Sequence, residues 1–91
     1  MFLKDPDARL DYEVDWSAVC GPDRDIVQSE WTVTPPREAG VTIVDEGLVD
    51  CVARVWVQGG QDGDVVALVN RAMFSDGAID ERSVAIRVGE R

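Results

Sequence analysis

The stretch Asn70 to Val88, NRAMFSDGAIDERSVAIRV, constrains the fold of this chain more than any other. Together with the residues just before it, it predicts two strands, Val65 to Phe74 and Ile79 to Val88, joined by Ser75-Asp76-Gly77-Ala78. An Asp-Gly pair between alternating apolar runs is the strongest short-range signal for a β-hairpin, because Gly77 accepts the positive φ of a primed turn. A closing hairpin of this kind implies a small β-sandwich.

Earlier segments repeat the pattern. Leu10, Tyr12, Val14 and Trp16 alternate strictly with Asp11, Glu13 and Asp15, as a strand does with one face on a core and one in water. Three carboxylates along the solvent face also discourage edge-to-edge pairing. Ser17 to Asp25 reads as a turn region around Gly21-Pro22 with room for one helical turn. Ile26 to Thr34 reads as a strand with Val27, Ser29, Trp31 and Val33 on one face, ended by Pro35-Pro36, which cannot donate ladder hydrogen bonds. Val41 to Val44 is expected as a short strand before a polar turn at Asp45-Glu46-Gly47. Leu48 to Gln58 is expected as a longer one, with Cys51, Ala53, Val55 and Val57 opposite Val52, Arg54 and Trp56. Gly59 to Asp64 is a loop by composition. Six or seven short strands separated by turn signals fit an all-β antiparallel sandwich. Residues 1–8, where Pro6 biases Asp5 toward extended geometry, read as an N-terminal arm outside the sandwich, and residues 9–91 as a single domain.

At 91 residues the chain buries roughly 64% of its unfolded surface, which leaves a thin stability margin and favours packing against copies or partners. The formal charge of −9 is uneven: residues 1–50 hold twelve Asp/Glu against four Lys/Arg, residues 51–91 six against five. That balance disfavours nucleic acid and anionic membrane. It leaves two readings, a solvated acidic face that keeps the domain soluble or an acidic docking surface for a basic partner. Met1-Phe2-Leu3-Lys4-Asp5-Pro6-Asp7 lacks the apolar run of a signal peptide, so the expectation is a cytosolic product with Cys20 and Cys51 reduced. The alternative is an immunoglobulin-type Cys–Trp–Cys core with Trp31 between the cysteines.

No histidine is present, which removes the usual general base and the commonest metal ligand. Ser17, Ser29, Ser75 and Ser83 therefore lack a triad partner, and Cys20 and Cys51 have no evident activating base. No phosphate-binding glycine motif opens a helix. Asp62-Gly63-Asp64 and Asp23-Arg24-Asp25 miss the spacing of a calcium loop, and carboxylates alternating along one strand do not converge on an ion. No catalytic, cofactor or metal residue is expected. Trp16 and Trp31 fall on apolar faces and are expected in the core. Trp56 shares its face with Arg54, so it is either a second buried layer or an exposed contact.

Several short motifs occur in a familiar order: Lys4-Asp5-Pro6-Asp7, Leu10-Asp11-Tyr12, Asp15-Trp16, Trp31-Thr32-Val33, Asn70-Arg71 and Asp80-Glu81-Arg82-Ser83. In that order, from Lys4 to Val88, the chain resembles the phage fibre–tail adaptor proteins, small structural proteins of tailed phages. The Ala18-Val19-Cys20 stretch, Pro35-Pro36 and the cysteine pair depart from the family pattern. The resemblance implies an immunoglobulin-like sandwich of about seven strands and a virion protein assembled in the bacterial cytoplasm. It implies an adaptor between the tail or head–tail connector and fibres, within a homo-oligomeric ring and in contact with portal, connector, tail or fibre proteins. No enzyme activity or cofactor is implied. The expected interface residues are Phe2, Leu3, Lys4, Asp5, Pro6, Asp7 and Arg9 of the arm, with Arg54 and Trp56. Two other readings are a capsid decoration protein and a stand-alone carbohydrate- or protein-binding module using Trp56.

Overall fold

Period-two alternation decides which side of each strand meets the core, and the computed structural model, which describes residues 2–34 and 40–89, shows the outcome. Among these residues the order is β1 (Phe2–Lys4), β2 (Leu10–Asp15), α1 (Ser17–Cys20), β3 (Ile26–Thr34), β4 (Val41–Val49), β5 (Val52–Gly59), β6 (Val65–Phe74) and β7 (Ile79–Val88). A four-stranded sheet runs β1-β7-β6-β3 and a three-stranded sheet runs β2-β5-β4. The pairings are antiparallel except β1 with β7, which is parallel. The all-β, two-sheet architecture expected from the sequence is the one observed.

Tyr12 and Val14 of β2 and Ala53, Val55 and Val57 of β5 bury against Val66, Leu68, Ala72 and Phe74 of β6 and Ile86 and Val88 of β7. Removing each of the larger aliphatic side chains from water contributes about 1.5–3 kcal/mol before the entropy cost of ordering. Trp16, just past β2, crosses to the other sheet and is fully buried. Its indole Nε1 donates to Asn70 Oδ1 at 2.8 Å, and Asn70 Nδ2 donates to Ser29 Oγ at 2.8 Å and to the Glu30 carbonyl at 3.2 Å. Phe74 meets the Trp16 ring edge-on at 5.7 Å. The Arg82 guanidinium sits 4.5 Å from the ring centroid and donates to the Asp15 carbonyl. Trp16, Asn70 and Arg82 therefore hold the two sheets together. Trp31 is buried as expected.

The β6–β7 turn falls where Asp76-Gly77 places it. Positive φ is confined to Gly77 (89°), whose N–H donates to the Phe74 carbonyl, so this is the longer loop with one left-handed residue rather than a two-residue primed turn.

Four other features differ from the sequence reading. The strand through Val41 does not stop at Asp45-Glu46-Gly47. It runs to Val49, a bulge between Ile43 and Asp45 absorbs one residue, and the chain reverses at Asp50-Cys51, where Asp50 adopts φ 54°. Carboxylates and glycine are tolerated there because β4 is an edge strand facing water. Val27 does not join Ser29, Trp31 and Val33: a bulge between Ile26 and Gln28 turns Ile26 inward and leaves Val27 65% exposed. Phe2 to Lys4, expected outside the sandwich, form a strand on the edge of the four-stranded sheet, and Lys4 is fully buried. The cysteines, expected reduced, are joined as a Cys20–Cys51 disulfide with Cα atoms 6.6 Å apart. The bond ties the end of α1 to the β4–β5 turn, unlike a strand-to-strand staple across two sheets. The Pro35-Pro36 terminator lies outside the described residues.

Candidate functional site

Because Ala53, Val55 and Val57 point into the core, Val52, Arg54 and Trp56 must point outward, and they line the outer face of the three-stranded sheet. Register sets their neighbours. Arg54 lies between Glu13 of β2 and Gly47 of β4, and Trp56 between Asp11 and Asp45. Arg54 Nη2 is 3.2 Å from Glu13 Oε2 and its Nε is 3.5 Å from Asp11 Oδ2. Arg9, leaving the turn that follows β1, brings its guanidinium 5.8 Å from the Trp56 ring. Gly47 leaves open space beside Arg54, since a Cβ there would meet nothing within 4 Å. The result is an open depression of about 570 Å³ bordered by Glu13, Asp45, Asp50, Val52, Arg54 and Trp56.

Carboxylates dominate this face. Asp11, Glu13 and Asp15 run along β2, Asp45 and Glu46 along β4, and Asp50 sits in the turn, against Arg9 and Arg54. Arg54 and its partners are roughly half exposed, so these ion pairs add little to stability. Asp15 accepts from the Ser17 hydroxyl and from the Ser17 N–H at 2.9 Å, which holds its carboxyl below the ordinary Asp range. The arrangement offers a half-buried aromatic platform, two guanidinium groups and an anionic border. Among the described residues, no three Cys, Asp or Glu side chains are placed to hold a metal ion.

The residues expected at an interface divide into groups. Arg9, Arg54 and Trp56 come together on the outer face. Phe2 meets the Tyr12 ring at 5.5 Å in a tilted arrangement and borders a shallow hollow with Asp11 and Glu13, so it adjoins the same face. Leu3 stands exposed on the far edge of the four-stranded sheet. Asp5 begins the turn, its carbonyl accepting from Ala8 N–H and its carboxylate from Asp7 N–H, with Pro6 between them. Lys4 faces inward: its Nζ donates to the Gly59 carbonyl at 2.5 Å and to the Asp5 carbonyl at 2.9 Å. Burial lowers the Lys4 pKa, and Asp5 and Asp7 offset part of that shift. Asp45, Gly47, Val49 and Asp50 were missed as site residues because Asp45-Glu46-Gly47 reads locally as a turn. The signal that could have found them is Val49 and Val52 spaced by two residues, the length of a tight hairpin.

These features point to contacts between proteins, and comparison with known proteins agrees. No curated protein matches the chain. The sequence model of one family, described as podophage GP4 fiber-tail adaptor protein gp77, matches residues 4–87, nearly the whole length. The chain therefore belongs to the podophage GP4 fiber-tail adaptor family gp77, a family of phage structural adaptors.

Proposed function

We propose that this chain joins the phage tail or head–tail connector to fibres through protein contacts, with the outer face of the three-stranded sheet as its docking surface. One observation carries the reading: Trp56, unlike Trp16 and Trp31, is withheld from the core and set between Arg9 and an acidic border. Tryptophan and arginine are the side chains most enriched where binding energy concentrates, and an anionic rim steers a basic partner into register. The exposed ring of Phe2 supplies a second, apolar contact beside it. In this reading the protein is made in the host cytoplasm and carried in the particle. It sits there as a ring of copies against portal, connector, tail or fibre proteins, and acts through binding rather than catalysis.

The test is quantitative mass spectrometry of purified particles with portal and major capsid protein as internal standards. A copy number near that of the portal supports the adaptor. A number near that of the capsid protein makes it shell decoration, and absence from particles leaves a stand-alone binding module. In the same phage, the doubly substituted Trp56→Ala, Arg54→Glu protein should fold normally and yield particles depleted in fibres. Full fibre occupancy in that variant rules out this face as the docking surface.

A further inference from the structure

The two lateral sides of the sandwich differ. On one, β1 and β2 meet through the Phe2 and Tyr12 rings. On the other, β3 and β4 lie as neighbouring edges, and among the described residues neither pairs with the other. Between them runs an open groove of about 230 Å³ lined by Val27, Gln28 and Ser29 of β3 and Glu46, Gly47 and Leu48 of β4. β4 is exposed along its length from Val44 to Val49. Val44, Leu48 and Val49 stand in solvent there, Val49 at 72% exposure, and Val27 lines the groove together with Leu48.

Hairpin geometry says which backbone groups are free. A two-residue turn closes on a hydrogen-bonded pair, here Val49 with Val52, and antiparallel pairs then alternate. Gly47 and Asp45 thus direct their backbone groups at β5, and Leu48 and Glu46 direct theirs outward. The Glu46 N–H agrees: its partner is the Asp45 carboxylate at 2.9 Å, not a strand. An exposed row of backbone donors and acceptors flanked by apolar side chains is a template for an added strand.

We propose that the outer edge of β4, residues 44–49, takes up an extended segment of a partner protein as a fourth strand of this sheet. The segment alternates: Lys or Arg on the outer face, opposite Asp45, and apolar side chains on the other face, filling the groove against Val27 and Leu48. Charge selects this occupant over a second copy. Two-fold antiparallel pairing of β4 with itself over this stretch brings four carboxylates within cross-strand or diagonal reach, and like charges so placed are destabilising. The same charges that repel a copy attract a basic strand, which is how an edge is made specific. This inference rests on the adaptor reading for the existence of the partner and names its chemical class.

The experiment is hydrogen exchange on the full chain, resolved by NMR, with a synthetic peptide alternating lysine and valine and a control alternating glutamate and valine. At a lysine peptide concentration of about ten times its Kd, protection of the Glu46 and Leu48 amides should rise about tenfold. The glutamate peptide should leave both unchanged. Leu48→Pro, which removes an outward donor on an edge strand, should abolish the effect with the tryptophan fluorescence unaltered. Asp45→Lys with Glu46→Lys should exchange the preference to the glutamate peptide. Equal response to both peptides, protection at β1 or β2 instead of β4, or concentration-dependent protection of β4 without peptide would each overturn the proposal. The readout needs no phage particle, so its failure leaves the adaptor reading to the copy-number measurement, and failure of that reading does not decide this one.

Discussion

The β6–β7 and β4–β5 hairpins are built from strands of similar length, yet they occupy opposite ends of a scale of coverage. β6 and β7 are flanked on both sides, by β3 and β1, and alternate residues of β6 from Val66 to Phe74 are buried. β4 has β5 on one side and water on the other, and from Val44 onward none of its residues is buried. The first hairpin carries Asn70 and Arg82, which lock Trp16 between the sheets. The second carries Arg54 and Trp56 on its face and Asp45 to Val49 on its edge. A small domain with one core cannot bury both hairpins equally. Here the covered one frames the fold, and the open one keeps the surface on which an adaptor would dock.

The sharpest way to break the comparison is truncation of a side chain in each hairpin. Phe74→Ala should cost about 3–5 kcal/mol in urea unfolding, from lost burial and the cavity beside Trp16. Val49→Ala should stay within about 0.5 kcal/mol. Comparable losses would mean the open hairpin is not open in solution. Next in size is the Cys20–Cys51 bond. It closes a loop of sequence separation 31, so Cys20→Ser with Cys51→Ser should lower stability by about 3–4 kcal/mol on chain-entropy grounds. Hydrogen exchange in that variant should accelerate first around the β4–β5 turn, with β6–β7 amides the last to open. Asn70→Ala should cost about 1–3 kcal/mol, because the Trp16 indole N–H remains buried without an acceptor. Asn70→Leu combined with Trp16→Phe should recover part of that loss in the same denaturation experiment.

The smallest effect is a pH dependence at the β6–β7 turn. Asp76 accepts from the Ala78 N–H and pairs with Arg24 at 2.6 Å, which together hold its carboxyl below the ordinary Asp range. A depressed folded-state pKa contributes stability that is fully present above the unfolded value, near pH 4, and is lost as pH falls through the lower folded value. A carboxyl titration followed by NMR should therefore find Asp76 and Asp15 among the last carboxyl groups to protonate on acidification. An Asp76 that titrates with the bulk of the carboxylates would remove the turn's charge network from the account.

Much of the frame was legible. The alternation in Leu10 to Trp16 and the 51–57 pattern foretold β2 and β5, their inward faces and the burial of Trp16; the Ile26–Thr34 run foretold β3 and the burial of Trp31, and the apolar runs around Asp76-Gly77 foretold the β6–β7 hairpin. The outward orientation of Arg54 and Trp56 was legible too, but whether Trp56 was buried was not. That depends on whether another layer covers the sheet, which no local pattern encodes. Lys4 misled for a related reason: a lysine beside Asp5-Pro6-Asp7 reads as solvated, and only the approach of the Gly59 carbonyl makes its burial tolerable.

Where the two accounts part, the cause is a single residue or a long-range partner. The bulges after Ile26 and Ile43 each insert one residue and reverse the faces around them, and a one-residue slip has no compositional mark. The parallel pairing of β1 with β7 and the Cys20–Cys51 bond join segments far apart in the chain, so their existence depends on how the sheets stack. By itself the amino-acid order determined a two-sheet β fold, its closing hairpin and an acidic strand face. Only the tertiary structure decided which strand edge stays open, because an edge is defined by the neighbour that is missing beside it.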